Sequence, residues 1–180
     1  LVRTVACSLG EIPFNKHCFV LKGPQNDGKS TFLRFLCPID LRNYIAEHIN
    51  LYNKDGRFAL CQNFIINLDE LASFSKKEIN RTKALFTIDR VKDRLPFDRT
   101  PTSFKRRASF VASTNEDEFL VDETGNVRWL VFEIDRIKHD QGGAQGYEKR
   151  IDIDKVYSQA FYLLKEGFQF QLSKDEIRKS

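Results

Sequence analysis

The sequence predicts an α/β fold of three layers, a central and mostly parallel sheet between helices, with a basic β-hairpin inserted. Three observations carry that expectation. Short apolar runs recur at 18–21, 64–68, 109–113 and 127–134, and such continuous runs mark strands covered on both faces. Segments of helical spacing alternate with them, the pattern of a parallel layered fold. The 180 residues are 41% hydrophobic and 30% charged, which suits one folded core.

In chain order, residues 1–9 read as the end of a helix, broken by Gly10 and Pro13. The 18–21 run is a buried strand closed by a Gly-rich turn. Residues 30–36 form a helix with Phe32, Leu33, Phe35 and Leu36 apolar, stopped by Pro38. Apolar spacing at Leu41, Tyr44, Ile45 and Ile49 predicts another helix over 41–51, and 58–60 a short strand. The 64–68 strand ends in two acids. Ser75 and Glu78 make a capping box that opens a helix to about Phe86. Residues 88–107, weakly alternating with Pro96 and Pro101, predict a hairpin with a long exposed tip. Strands at 109–113 and 127–134 follow, then a loop over 141–146 and a helix over 153–166. The whole is one domain, 1–180, with a partial N-terminal element (1–17) and a C-terminal helical part (136–180). No Met occurs and the chain opens on Leu1, so it is expected to be part of a longer protein.

Composition narrows the function. Net charge is +4, from 29 Lys and Arg against 25 Asp and Glu, which permits a polyanionic partner without requiring one. No run approaches the roughly 18 apolar residues of a membrane span, and no signal peptide opens the chain, so the cytoplasm is the expected location, with no membrane partner. Cys7, Cys18, Cys37 and Cys61 have neither zinc-site spacing nor a nearby His cluster, and are expected as reduced, mostly buried thiols.

Chemistry begins at residues 23–30: Gly23, Pro24, Gln25, Asn26, Asp27, Gly28, Lys29, Ser30, or G-x-x-x-x-G-K-S, between a strand and a helix that continues through Thr31. Gly23 and Gly28 allow backbone angles that other residues resist. Loop amides and the helix start converge on phosphate. Lys29 bridges the β- and γ-phosphates, and Ser30 offers its hydroxyl to Mg²⁺. The expected ligands are ATP and Mg²⁺. Asp69 and Glu70 end the next buried strand, Asp69 to hold the metal and Glu70 to deprotonate or orient water. Asn67 interrupts that strand, leaving open whether Asp69 or Asn67 faces the Mg²⁺. Asn115, ending the 109–113 strand, can hold the water or the γ-phosphate. Arg128 can reach a neighbouring subunit's phosphate, or pair with Asp122 or Glu123 on its own surface. Trp129 reads as core.

Between 90 and 107 the chain carries Arg90, Lys92, Arg94, Arg99, Lys105, Arg106 and Arg107, with Phe97 and Phe104 interleaved. Lys92, Arg94, Arg99 and Lys105 are the expected contacts to single-stranded DNA. A solvated basic surface or an inter-subunit contact fits the same spacing.

Over 1–135 the sequence resembles the virulence-associated protein E family, phage- and island-borne P-loop ATPases similar to superfamily 3 helicases and poxvirus-type primase-helicases. The blocks carrying the resemblance are KGPQNDGKSTFLRFL, NKDGRFALCQNFIINLDELA, KALFTIDRVKDRLPFDR and RRASFVASTNEDEFLVDETGNVRWLVFEI. The resemblance implies a P-loop NTPase of AAA+-like type. Asp69 and Glu70 would be its Walker B pair, Asn115 its sensor and Arg128 its arginine finger. Residues 83–105 would be its DNA-contacting hairpin region. Members often carry an acid where Asn67 stands, and two arginines where this chain has Val127 and Arg128. The expectation is an ATP-hydrolysing, helicase-like motor of phage or mobile-element replication, assembled as a homo-oligomeric ring, a hexamer among the ring sizes. The alternative is a nucleotide-gated binding module with little turnover. A small-molecule kinase is disfavoured, because the acid pair and Asn115 suit water as nucleophile.

Overall fold

The computed structural model describes residues 1–50, 52–94, 99–116, 128–139 and 146–170. Its centre is a five-stranded sheet in the order β2-β3-β6-β1-β7, with every neighbouring pair parallel. The strands are β1 (Cys18–Lys22), β2 (Ile45–Glu47), β3 (Ile65–Leu68), β6 (Ser109–Thr114) and β7 (Trp129–Glu133). β4 (Arg90–Asp93) and β5 (Thr102–Lys105) form a separate antiparallel hairpin.

Side chains alternate across the sheet, so it has two cores. On one face Cys18, Val20, Ile66, Phe110 and Trp129 meet Leu60 of α3 (Lys54–Gln62) and Ile79 and Leu85 of α4 (Lys76–Leu85). Phe86 packs edge-on against Trp129 with ring centroids 4.9 Å apart, so Trp129 is core, as its setting in the sequence suggests. On the other face Leu21, Ile65 and Val111 meet Leu33 of α2 (Lys29–Phe35), with Tyr157 of α6 (Ile153–Lys165) alongside. α1 (Val2–Leu9) lies beside α6, and Lys165 pairs with Glu11 at 2.6 Å. The short α5 (Tyr147–Arg150) precedes α6.

Local signals explain most elements. Ser75 Oγ accepts from the Glu78 amide, and Glu78 accepts from the Ser75 amide, so α4 starts where its capping box lies. Gly10, with φ 76°, ends α1. Two expectations fail. The expected helix does not form over 41–50: a 3₁₀ segment, Ile39–Tyr44, gives way to β2. There Ile45, Ala46 and Glu47 pair with Ile65, Ile66 and Asn67, and pairing outweighs the helical spacing. The expected strand at 58–60 lies inside α3, where the Asn53 side chain caps the helix by accepting from Gly56 N at 2.7 Å. Phe58, Ala59 and Leu60 form a consecutive apolar run because that part of the helix is buried. The expected 141–146 loop lies outside the described residues except Gly146, as does the hairpin tip at 95–98.

Cys7, Cys18 and Cys37 are buried free thiols and Cys61 is half-buried; burial raises the pKa of each. Among the described residues no helix is long and apolar enough to cross a membrane.

Candidate active site

Parallel strands aim their C-terminal ends one way, and ligand sites of such sheets collect there. β1 runs into the 23–28 loop, β3 into Asp69 and Glu70, and β6 into Asn115. A cleft of about 550 Å³ lies between these ends. Gln25, Asn26, Asp27, Gly28, Lys29, Ser30 and Thr31 line it, together with Asp69, Glu70 and Asn115.

The loop is tightly shaped. Asn26 and Gly28 take left-handed backbone angles, φ 64° and 73°. A Cβ at Gly23 would meet the Ile134 carbonyl, and one at Gly28 would strike the His139 ring, so both close approaches need glycine. The chain after β7 thus packs onto the loop. The Ile137 amide donates to the Asp27 carboxylate at 3.0 Å, and His139 Nε2 lies 3.1 Å from the Asp27 carbonyl oxygen. His139 in turn rests edge-on against Tyr147, whose ring meets Phe32 and Phe35. Asp27 is therefore a fastening for the loop. Lys29 is buried, and its ammonium donates to the carbonyls of Gly23 (2.9 Å) and Pro24 (2.5 Å), so it lies folded along its own loop.

Asp69 Oδ1 accepts three bonds: from Ser30 Oγ at 2.7 Å, from Ser113 Oγ at 2.5 Å and from the Glu70 amide at 3.2 Å. Among the described residues no donor meets Oδ2. Burial alone would raise the Asp69 pKa. The bonds from Ser113, Ser30 and Glu70 and the positive charge of Arg34 outweigh it, so this carboxyl titrates below the ordinary range. Glu70 is exposed and left-handed, φ 54° and ψ 53°, an arrangement costing of order 1–3 kcal/mol outside glycine. It turns the chain sharply after Asp69.

Asn67 Nδ2 donates to Glu47 Oε1 at 2.7 Å, and Arg34 Nε donates to both Glu47 oxygens at 2.9 Å. Asn67 is thus committed to Glu47, and Asp69 is the side chain that touches Ser30. Sequence reasoning missed Ser113, whose signal is its place two residues before Asn115 at the end of β6. It also missed Arg34 and Glu47, and the packing of 134–139 onto the loop, for which no local signal exists.

Two groups of expected residues stand elsewhere. Arg128 is exposed at the start of β7, where its carbonyl accepts from Cys18 N at 2.8 Å. At a strand rise of about 3.3 Å, four steps from Cys18 to Lys22 put it about 13 Å or more from the loop, at the opposite end of the sheet. On the hairpin, Val91 and Phe104 face inward, with Phe104 edge-on to Phe58. Arg90, Lys92 and Lys105 are exposed, as are Arg94 and Arg99. Asp93 pairs with Lys54 and Arg57, both at 3.4 Å. Arg106 does not belong to the basic surface; it is fully buried. Arg107 is half-buried and donates to the Ser8 carbonyl at 2.6 Å.

The model of the Virulence-associated protein E-like domain matches residues 15–180. The chain belongs to that family. The described fold of this Virulence-associated protein E-like domain is also shared with solved structures of the NrS-1 C terminal region. One apo structure is 16% identical with a TM-score of 0.55, covering 98% of this chain and 42% of that one. Two A-form apo structures are 15% and 16% identical with TM-scores of 0.53 and 0.56, each covering 97% of this chain. They are covered over 42% and 44% of their own lengths, so the domain spans less than half of each NrS-1 structure. At such identity the likeness concerns the fold. A search of curated proteins gives no match.

Proposed function

We propose that this domain is a nucleoside triphosphatase of P-loop, AAA+-like type that acts on single-stranded DNA in phage or mobile-element replication. One observation carries the reading: the Gly28-Lys29-Ser30 loop meets Asp69, Glu70 and Asn115 in one cleft at the C-terminal edge of a parallel sheet.

The residues fit ATP and Mg²⁺. Amides at the start of a helix such as α2 suit an anion. Lys29 has only main-chain oxygens as partners among the described residues and can exchange them for phosphate. The Ser30 hydroxyl and the Asp69 carboxylate form a hard oxygen pair with one carboxylate oxygen to spare. Among the described residues no cluster of three or more His, Cys, Asp or Glu could cage a metal unaided. Mg²⁺ needs no such cage, since it is held by one or two carboxylates, water and substrate phosphates. When bound, it would neutralise charge on the β- and γ-phosphates. Glu70, exposed beside Asp69, takes a proton from the attacking water, and Asn115 holds that water in line. Arg128, remote from its own cleft, serves the cleft of a neighbouring copy in a ring. The exposed cations of the hairpin carry the DNA.

Steady-state ATP hydrolysis with and without single-stranded DNA tests this in the assembled protein. The expected outcome is DNA-stimulated turnover that Lys29→Ala lowers by at least about 10²-fold. Turnover undiminished in Lys29→Ala, or absent with ATP and DNA bound, refutes the motor. Glu70→Gln separates the motor from a nucleotide-gated switch: a motor loses turnover and keeps ATP, whereas a switch has no turnover to lose.

A further inference from the structure

β6 runs between β1, which leads into the 23–28 loop, and β3, which ends in the acids. Its register sets Ser113 beside Leu21 and, one step beyond the Leu68–Ala112 pair, level with Asp69. Side chains alternate along a strand, so Ser113 shares the face of Val111, whose neighbours Leu21, Leu33 and Ile65 are all apolar. At that position, 4% exposed and on a strand buried throughout, stands a hydroxyl that also lines the cleft. Strand alternation alone would place a hydrophobe there.

The partners of that hydroxyl explain it. Ser113 Oγ donates to Asp69 Oδ1 at 2.5 Å and accepts from the Glu70 amide at 3.5 Å, so one oxygen meets both acids of the cleft. A hydroxyl has a single proton, and here the carboxylate takes it. The other two donors to Asp69 Oδ1 are Ser30 Oγ and the Glu70 amide. Three donors from α2, from β6 and from the turn after β3 converge on one oxygen, which fixes the rotation of the carboxylate and leaves Oδ2 without a described donor. Ser30 already has a task of its own toward Mg²⁺, and the Glu70 amide belongs to the residue that handles water. Ser113 is the donor with no task except to hold Asp69.

We propose that Ser113 is a positioning residue for the metal: its hydroxyl holds the Asp69 carboxylate in the orientation that receives Mg²⁺ with the nucleotide. The role rests on the ATP and Mg²⁺ reading and adds to it a residue outside both motifs. Ligands of a metal are oriented by the groups that hydrogen-bond to them, and losing such a group weakens the metal more than it weakens the rest of the site. Ser113 also ties β6, the strand that ends in Asn115, to the acids at the end of β3.

Binding of a fluorescent, nonhydrolysable ATP analogue to the full chain tests this without turnover, first in EDTA and then across a Mg²⁺ series. In Ser113→Ala the affinity in EDTA should stay within about threefold of the parent, because Ser113 bonds to the acids and not to the loop. The Mg²⁺ concentration at half-saturation should rise by about tenfold or more, the scale of a lost hydrogen bond to a charged group. Ser113→Thr keeps the hydroxyl and suits a strand, so it should recover most of the parent's Mg²⁺ response. Ser113→Cys keeps the volume with only a weak donor; it should show the same rise as Ser113→Ala and decides the matter if that variant does not fold. An unchanged Mg²⁺ midpoint in Ser113→Ala and Ser113→Cys, an equal loss of affinity with and without metal, or Ser113→Thr no better than Ser113→Ala overturns the proposal while leaving the ATP reading in place. A parent chain that binds no nucleotide in either buffer overturns both.

Discussion

Arg106 is fully buried, and its guanidinium is met by carbonyls alone: Ala108 (2.9 Å), Leu85 (3.0 Å), Phe86 (2.7 Å) and Asn15 (3.0 Å), with the Phe110 ring 5.1 Å away. It ties the end of α4, the turn before β1 and the start of β6 into one joint. Burial lowers its pKa to about 10, so it stays charged at neutral pH. The planar fork is what serves several oxygens at once. Arg106→Ala should therefore destabilise the fold by about 3–5 kcal/mol, comparable to breaking a buried ion pair. At about 2–4 °C per kcal/mol for a chain of this size, the calorimetric midpoint should fall by roughly 6–20 °C. Arg106→Lys should recover only part of that loss, since an ammonium has three donors. A midpoint within about 2 °C of the parent would show that the joint carries no weight.

At the scale of elements, the hairpin divides its charges between two tasks. Arg90, Lys92 and Lys105 stay exposed, while Asp93 is tied to Lys54 and Arg57 on α3. If Lys92 and Lys105 each meet a phosphate, Lys92→Ala/Lys105→Ala should reduce the salt slope of single-strand binding by about 1.4, at about 0.7 per contact. Titration across a salt series measures it, and an unchanged slope would take those lysines off the DNA path. The sequence read most clearly where one local cause sufficed: the capping box of α4, the apolar runs of β1, β3 and β6, and the glycines around Lys29. It misled where partners are distant. β2 is a strand because β3 lies beside it, and Phe58–Leu60 is helical because Asn53 caps α3. Arg106 and Lys92 are the same kind of residue on paper; only the carbonyls gathered around Arg106 separate a core cation from a surface one. Ser113 and Glu47 escaped notice because a hydroxyl or a carboxylate on a strand has no motif until its partner is known.

For the whole molecule, the position of Arg128 makes oligomerisation testable. It is exposed at the end of the sheet opposite the cleft. If it completes a neighbour's site, Lys29→Ala and Arg128→Ala proteins should each lack activity, and their equimolar mixture should regain about a quarter of the parent rate, the share of random interfaces that join an intact Lys29 to an intact Arg128. No recovery on mixing would place both residues in the service of one subunit. The packing of Ile134, Ile137 and His139 against Gly23, Asp27 and Gly28 has a consequence for synthesis. A ribosome delivers the glycine-lysine-serine segment first, and the residues that brace it emerge more than a hundred positions later. A nascent chain halted before residue 134 would carry the complete motif without the scaffold that shapes it, so the loop takes its final form only once residues 134–139 have emerged.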